Sequence, residues 1–144
     1  MIPVRLKILP GAKIPEYQSI GAAGADLFAH LDSSVVITPG ETKLIPTGVC
    51  MEIPEGYEGQ IRPRSGLALK HGLTLPNSPG TIDSDYRGEI KIIVTNLGNK
   101  DFIVADGMRI AQIVFGKVYR GDFIVSEILN RSERSDGGFG HSGV

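Results

Sequence analysis

Five short polar or glycine-rich clusters interrupt a chain in which apolar runs otherwise alternate with turns. They lie at residues 23–27 (AGADL), 62–66 (RPRSG), 77–89 (NSPGTIDSDYRGE), 109–115 (RIAQIVF) and 130–144. Each contains side chains that could bind a phosphate, activate water or lie near a cation. Each also has an ordinary structural explanation when it is taken alone.

The second cluster places Arg64 and Ser65 directly before an apolar stretch. Residues 66–71 (GLALKH) predict one short helix, with Ser65 as its N-cap, cations in its last turn and Gly72 as its stop. A helix N-terminus presents free amides and the positive end of a dipole, and both favour a bound phosphate. The alternative is a capped surface helix without a ligand.

The third cluster carries paired aspartates between glycines and a proline, and its simplest interpretation is a hairpin. A carboxylate such as Asp83 on a rigid hairpin could instead act as a general base or lie near a metal, with Tyr86 as a flat wall. Residues 83–88 (DSDYRG) also match the start of an EF-hand calcium loop. Because Arg87 and Val94 stand where that loop needs oxygen ligands, no calcium site is predicted.

Two further polar residues interrupt apolar sequence. Asp26 follows small residues, a context in which an aspartate is more often a turn residue than a ligand. Gln112 shares a strand face with Ile110 and Val114 at the two-residue period, so an amide intrudes on an apolar row. It is either a satisfied core amide or a group that points into a site.

The last cluster, residues 130–144, is polar and has Phe139 as its large apolar side chain before the final valine. Such a segment cannot bury enough apolar surface to order itself, so a flexible tail is predicted. Arg134 and the glycine amides could still wrap a phosphate if another part of the molecule supplied the rest of a site. Residues 138–143 match G-x-G-x-x-G, but the strand and helix that must flank a dinucleotide motif are not predicted there.

The elements that must position these clusters are predicted to be strands almost throughout. Apolar, often β-branched runs recur between turns rich in glycine and proline, which number 19 and 9. The runs are residues 35–37, 44–45, 90–94, 102–105 and 110–115. The pattern predicts an all-β, jelly-roll-like double-sheet fold with one short helix and a flexible C-terminal tail. We expect the β core over residues 1–130 and the tail over residues 131–144.

Composition limits the class of protein. The 144 residues are 41% hydrophobic and 22% charged with a net charge of −1, which is typical of one soluble globular domain. The charge indicates no nucleic-acid partner, and no segment approaches the ~20 apolar residues of a membrane span. The three histidines are scattered, so no zinc site is predicted, and a single cysteine, Cys50, is expected to be a buried thiol. A cytoplasmic location is expected.

Taken in order, the five clusters resemble the five motifs of the trimeric dUTPase family over nearly the whole chain. The most specific likenesses are residues 63–68 (PRSGLA) to the second motif, residues 80–89 (GTIDSDYRGE) to the third, and Arg134 with residues 137–140 (GGFG) to the fifth. Ala25 and His141 depart mildly from the usual pattern of the first and fifth motifs.

The resemblance implies hydrolysis of dUTP to dUMP and pyrophosphate, which removes dUTP and supplies dUMP for thymidylate synthesis. Asp83 would be the general base that activates water for in-line attack on the α-phosphorus. Tyr86 would pack on the deoxyribose and exclude a 2′-hydroxyl, and Phe139 would stack on the uracil. The residues that would read uracil are Asn77, Gly80, Thr81, Ile82 and Lys91.

The same resemblance implies how the triphosphate is held. Arg64, Ser65, Gly66 and Gln112 would bind phosphates, and the tail would close over the substrate through Arg134, Phe139 and Gly140. Mg²⁺ would be held mainly by the triphosphate and waters, with Asp26 reaching it through a water. The expected assembly is a homotrimer with shared active sites.

Two alternatives belong to other classes. A dCTP deaminase shares the fold and some motifs, but enzymes of that kind have a longer chain and a glutamate, rather than this aspartate, as the base. Release of ammonia from dCTP would identify it. A non-catalytic β-trimer module would bind dUTP without turnover and would tolerate the loss of Asp83.

Overall fold

The structure, a computed structural model, describes residues 1–137, whose regular elements are ten strands, all paired antiparallel, and one short helix. In chain order, the elements are β1 (Arg5–Ile8), β2 (Ala25–Phe28), β3 (Val35–Ile37), β4 (Thr42–Glu52), β5 (Tyr57–Arg62), α1 (Ser65–His71), β6 (Leu73–Thr74), β7 (Gly80–Ile82), β8 (Glu89–Asn96), β9 (Phe102–Val104) and β10 (Arg109–Lys117).

Two four-stranded sheets enclose the core. The first has the order β1-β4-β8-β6 and the second has the order β2-β10-β5-β7, while β3 and β9 form a separate two-stranded sheet. Buried side chains from both large sheets belong to one hydrophobic cluster. Among them, Ile45 and Ile92 come from the first sheet, and Leu27 and Ile113 come from the second. The predicted jelly-roll-like double-sheet fold with one short helix is confirmed.

Most of the predicted strands are present. Residues 35–37 coincide with β3, and the runs at 44–45, 90–94 and 110–115 lie within β4, β8 and β10. Ala105 of the remaining run lies one residue beyond the end of β9. The strands that the sequence did not predict are short or glycine-containing, and their partners are distant along the chain.

The helix α1 lies where the sequence predicts it, but its cap is different. Gly72 ends the helix in the left-handed region with φ 68°, as predicted. The prediction of Ser65 as the N-cap is wrong, because Ser65 is already helical and Arg64 occupies the cap position with an extended backbone. The Arg64 carbonyl accepts the N–H of Leu67 at 3.1 Å. The Arg64 side chain meanwhile points away from the helix to Asp26.

The C-terminal part of the described chain leaves the sheets after β10. Val118 donates its N–H to the Gly56 carbonyl at 2.9 Å, after which residues 119–137 form neither helix nor strand and are almost all exposed. The sequence assigns residues 118–130 to the core, and that boundary remains a prediction. Phe139 and Gly140 lie outside the described residues. In residues 1–137, no helix is long and apolar enough to cross a membrane.

A buried amide joins the end of β8 to its surroundings. Asn96 is fully buried, and its Nδ2 donates to the carbonyls of Ile37 and Lys100, both at 2.8 Å. Its Oδ1 accepts the N–H of Gly98 at 2.9 Å. Three backbone groups from β3 and from the turn after β8 therefore depend on one side chain.

We expect Asn96→Ala to lower the free energy of unfolding by about 2–4 kcal/mol, because it leaves buried backbone groups without partners. Urea unfolding followed by circular dichroism measures the change. Asn99→Ala, an exposed position on the same turn, is the control and should change stability by less than about 0.5 kcal/mol. Equal effects of the two substitutions would contradict a structural role for the Asn96 amide.

Candidate active site

The segment at residues 77–89 crosses from one sheet to the other. β7 pairs with β5 in the second sheet, whereas β8 pairs with β4 and β6 in the first. The predicted hairpin is therefore wrong, because the two strands on either side of Asp83 have partners in different sheets. The loop between them, residues 83–88, spans the junction of the sheets.

A cavity of about 410 Å³ lies at this junction. Its lining residues are Leu44, Thr81, Ile82, Asp83, Tyr86, Glu89, Ile90 and Lys91. The sequence predicted five of these as site residues, and the structure brings those five together: Thr81, Ile82, Asp83, Tyr86 and Lys91. A pocket with apolar walls and a few convergent polar groups is typical of a small-molecule site.

Three lining residues were missed by the sequence reasoning. Leu44 is 57% exposed on β4, and its place in an ordinary apolar run gave no sign of a functional role. Ile90 follows the polar cluster directly and was predicted only as the first residue of a strand. Glu89 accepts the Gly48 N–H at 2.9 Å and lies 3.5 Å from the Lys91 ammonium, so it holds that cation at the cavity.

Asn77 and Gly80 lie beside the cavity and contact each other. An ideal Cβ on Gly80 would lie only 2.9 Å from Asn77 Nδ2, so the amide of Asn77 packs where a larger residue would have its side chain. Neither residue is among those that line the cavity in the described chain. Their close contact keeps the Asn77 amide next to the start of β7.

A second group of polar residues surrounds Asp26. This carboxylate is only 7% exposed and sits inside β2, so the prediction of a turn residue is wrong. Its Oδ1 accepts Arg64 Nε at 3.0 Å, and its Oδ2 accepts Arg109 Nη1 at 3.2 Å. Arg64 Nη1 also donates to the Arg109 carbonyl at 3.1 Å. Burial of the carboxylate is possible because two guanidinium groups satisfy it.

Gln112 belongs to the same group. A bulge in β10 near Ile110 shifts the register, so that Ile110, Ala111 and Ile113 are all buried while Gln112 faces outward. The prediction that Gln112 shares a face with Ile110 is therefore wrong. Gln112 Nε2 donates to the Pro63 carbonyl at 3.0 Å, and its amide lies where a Cβ on Gly24 would have to be.

Ser65 and Gly66 complete this group as exposed residues at the start of α1, next to Arg64. Arg109 is the residue that the sequence reasoning missed here. Its charge at the head of an apolar run was a usable signal.

The two groups lie at opposite edges of the second sheet. Asp26 is on β2, at one edge, and pairs with Gln112 of β10, while Asp83 follows β7 at the other edge. Three strand spacings separate β2 from β7, or roughly 14 Å. Within one chain, the candidate base and the candidate phosphate residues are therefore not brought together.

The tail residues are only partly described. Arg134 is exposed, and its Nε donates to the Gly137 carbonyl at 2.8 Å, which closes a local turn. The described chain places neither group of site residues against it.

Metal binding is limited by the donors present. Among residues 1–137, no group of three or more His, Cys, Asp or Glu side chains could hold a metal ion. Both oxygens of Asp26 already accept hydrogen bonds from arginines. This donor set fits an ion that arrives with a polyphosphate and keeps its waters, rather than one in a dedicated protein cage.

Comparison with known proteins identifies relatives over nearly the whole chain. The sequence model of the dUTPase family matches residues 11–143. The deoxyuridine 5′-triphosphate nucleotidohydrolase of Chlamydia pneumoniae is 57% identical over 93% of both chains. That of Caldanaerobacter subterraneus subsp. tengcongensis is 54% identical over 99% of both chains.

Solved structures of dUTPases match the fold of this chain. A variant of the Staphylococcus bacteriophage 80alpha dUTPase, solved with dUpNHpp, matches with a TM-score of 0.89 and 29% identity over 99% of both chains. A variant of the dUTPase from S. aureus phage phi11, described as revealing the coordination of a structural Mg(II) ion, matches with a TM-score of 0.80 and 25% identity over 88% of this chain and 97% of that one. Because the match in sequence and in fold extends over nearly its whole length, the chain belongs to the dUTPase family.

Proposed function

We propose that this dUTP nucleotidohydrolase forms dUMP and pyrophosphate by attack of water on the α-phosphorus, with Asp83 as the general base. The observation that carries the proposal is the cavity at the sheet junction, which Asp83 lines together with Tyr86 and Lys91. A carboxylate beside a pocket can take a proton from water as the water attacks. The loop at residues 83–88 is anchored in both sheets, which supports a fixed position for that carboxylate.

The cavity also suits the nucleoside. Leu44, Ile82 and Ile90 supply apolar walls. Backbone groups of β7, an edge strand, would supply donors and acceptors for the uracil edge. The uracil edge would be bound by hydrogen bonds from Asn77 and from the backbone of residues 80–82. Cytosine would be rejected, because its exocyclic donor would leave buried groups unpaired. Thr81 and Lys91 lie at the same cavity. Tyr86 would pack on the deoxyribose and leave no room for a 2′-hydroxyl.

The triphosphate would bind at the second group of residues. Arg64 uses two of its five N–H groups on Asp26 and the Arg109 carbonyl, so other donors remain for phosphate oxygens. Ser65, Gly66 and Gln112 lie next to it. The tail would clamp the outer phosphate through Arg134 and close the site with Phe139 and Gly140.

We assign Mg²⁺ to the triphosphate rather than to a protein cage. Asp26 would reach the ion through a water, since its two oxygens are already held by Arg64 and Arg109. When bound, the ion would offset the negative charge that the phosphates bring and orient them for attack. Arg109 would keep Asp26 in place while this happens.

We further propose a homotrimer in which different chains complete each site. The separation of Asp26 from Asp83 across the second sheet supports this, because one chain alone does not bring base and phosphate residues together. The arm, residues 118–130, is a second argument. Five of its apolar side chains are at least 82% exposed in the single chain: Phe123, Ile124, Val125, Ile128 and Leu129. Such a patch is typical of a surface that another chain covers.

The role of the base predicts the effect of Asp83→Asn. Turnover of dUTP should fall at least ~100-fold, because general-base catalysis is typically worth on the order of 10²–10⁴ in rate. Binding of dUTP and assembly should persist, as measured by calorimetry and sedimentation. Asp85→Asn, on the same exposed loop but not lining the cavity, is the matched control and should stay within a few-fold of the parent enzyme. Activity of Asp83→Asn at the level of this control would remove Asp83 from the assigned role.

Sugar selection predicts the effect of Tyr86→Ala. Removal of the ring should raise kcat/KM for UTP relative to dUTP by about 10- to 100-fold, because a 2′-hydroxyl then fits in the space that the ring occupied. Steady-state assays with both nucleotides measure the ratio. An unchanged ratio would mean that another residue excludes ribose.

If each active site is shared between chains, two inactive variants should restore activity when they are mixed. A chain that ends at Asn130 should assemble and bind some substrate but turn it over poorly, and Asp83→Asn with an intact tail should be inactive. Mixed trimers, made by unfolding and refolding the two together, should regain part of the parent activity, because some sites combine a good Asp83 with an intact tail. Co-purification of differently tagged chains checks the mixing. Background activity in well-mixed trimers would show that the tail does not serve a neighbour's site.

A further inference from the structure

The ring of Tyr86 folds back over Gly88. Its hydroxyl donates to the Glu89 carbonyl at 3.0 Å, at the first residue of β8. An ideal Cβ built on Gly88 would lie against the Tyr86 hydroxyl, 2.6 Å from Cζ and 2.9 Å from Cε2. Atoms this close overlap, so the observed position of the ring is available only when residue 88 has no side chain.

The backbone does not explain the glycine. Gly88 is not among the glycines with positive φ, so no left-handed backbone requires a glycine at this position. The three heavy atoms nearest to such a Cβ all belong to the Tyr86 side chain. An alanine at this position can therefore be accommodated by rotation of one ring, without distortion of the loop.

Hydrogen bonds hold the loop backbone around Tyr86. Arg87 Nη1 donates to the carbonyls of Ser84 and Tyr86 at 2.6 and 3.0 Å, and the Tyr86 N–H donates to the Asp83 carbonyl at 3.2 Å. The backbone of Tyr86 is thus held at two points, its N–H and its carbonyl, and the carbonyl of Ser84 is held as well. The clash between a side chain at residue 88 and the Tyr86 ring would be relieved by rotation of the ring about its side-chain torsions. That rotation moves the ring away from the Glu89 carbonyl.

We propose that Gly88 is a specificity-determining residue that acts by positioning Tyr86: its missing side chain lets the ring anchor on the Glu89 carbonyl, and the anchored ring selects deoxyribose. The inference rests on the role proposed above for Tyr86 and adds the cause of the ring's position. A larger residue at 88 rotates the ring out of the place that a 2′-hydroxyl would need.

The test is Gly88→Ala, assayed with dUTP and UTP. The ratio of kcat/KM for UTP to that for dUTP should rise by about tenfold, less than with Tyr86→Ala, because the ring is displaced rather than removed. Gly21→Ala is the matched control, since its Cβ would meet no atom within 4 Å and its φ is also not in the left-handed region. That control should leave the ratio unchanged.

A double variant separates positioning from a general structural effect. With Tyr86→Ala present, adding Gly88→Ala should not change the UTP to dUTP ratio further, because no ring remains to be displaced. Should Gly88→Ala alone fail to fold, the double variant should fold, since the clash is gone. A double variant that also fails to fold would overturn the inference.

The remaining outcomes distinguish the inference from the function on which it rests. If Tyr86→Ala relaxes sugar selection and Gly88→Ala does not, Gly88 has no positioning role and the role of Tyr86 stands. If neither variant changes the ratio, the role of Tyr86 fails and the inference fails with it.

Discussion

The buried carboxylate of Asp26 is the constraint on which the polar half of the molecule depends. A charge at 7% exposure is tolerated in a strand only when strong donors surround it, and here two guanidinium groups supply them. One arginine precedes α1 and the other opens β10, so a single acid joins β2, β10 and the start of the helix. Loss of the acid would leave two cations close together, so the contact between these three elements depends on it.

The order of strands in the second sheet has an equally direct effect on the site. β10 and β5 lie between β2 and β7, so the group of polar residues around Asp26 and the loop of Asp83 are held apart. A rigid sheet cannot fold to bring its own edges together. The same rigidity can hold two half-sites at fixed positions for neighbouring chains, which is the arrangement we propose.

The local part of the fold could be predicted from the sequence, and the long-range part could not. Gly72 ended the helix as expected because its left-handed conformation is a property of one residue. Asp26 was taken for a turn residue because the arginines that allow its burial lie 38 and 83 positions away. The bulge that turns Gln112 outward is likewise invisible to a strict two-residue period.

The site residues divide in the same way. Arg64 could be recognised as a candidate because it is a cation next to a predicted helix start. Asp83 could be recognised because it is a carboxylate in a predicted turn. Asn77 and Lys91 came only from the resemblance, since neither spacing nor composition marks them. Leu44 lay in an ordinary apolar run. Cys50 is half-buried rather than fully buried, because its two neighbours on β4 take the core-facing positions and its own side chain lies on the other face of the strand.

The exposed arm has a consequence for how the protein reaches its working state. A freshly folded chain carries a β-branched, apolar stretch at Phe123 to Val125 without cover, which is the kind of segment that seeds aggregation. Asp122 and Glu127 flank it, and charges in such positions discourage unspecific pairing. If cover comes from another copy, the final stability rises with protein concentration. Low expression would then leave more of the chain exposed to proteases than high expression does.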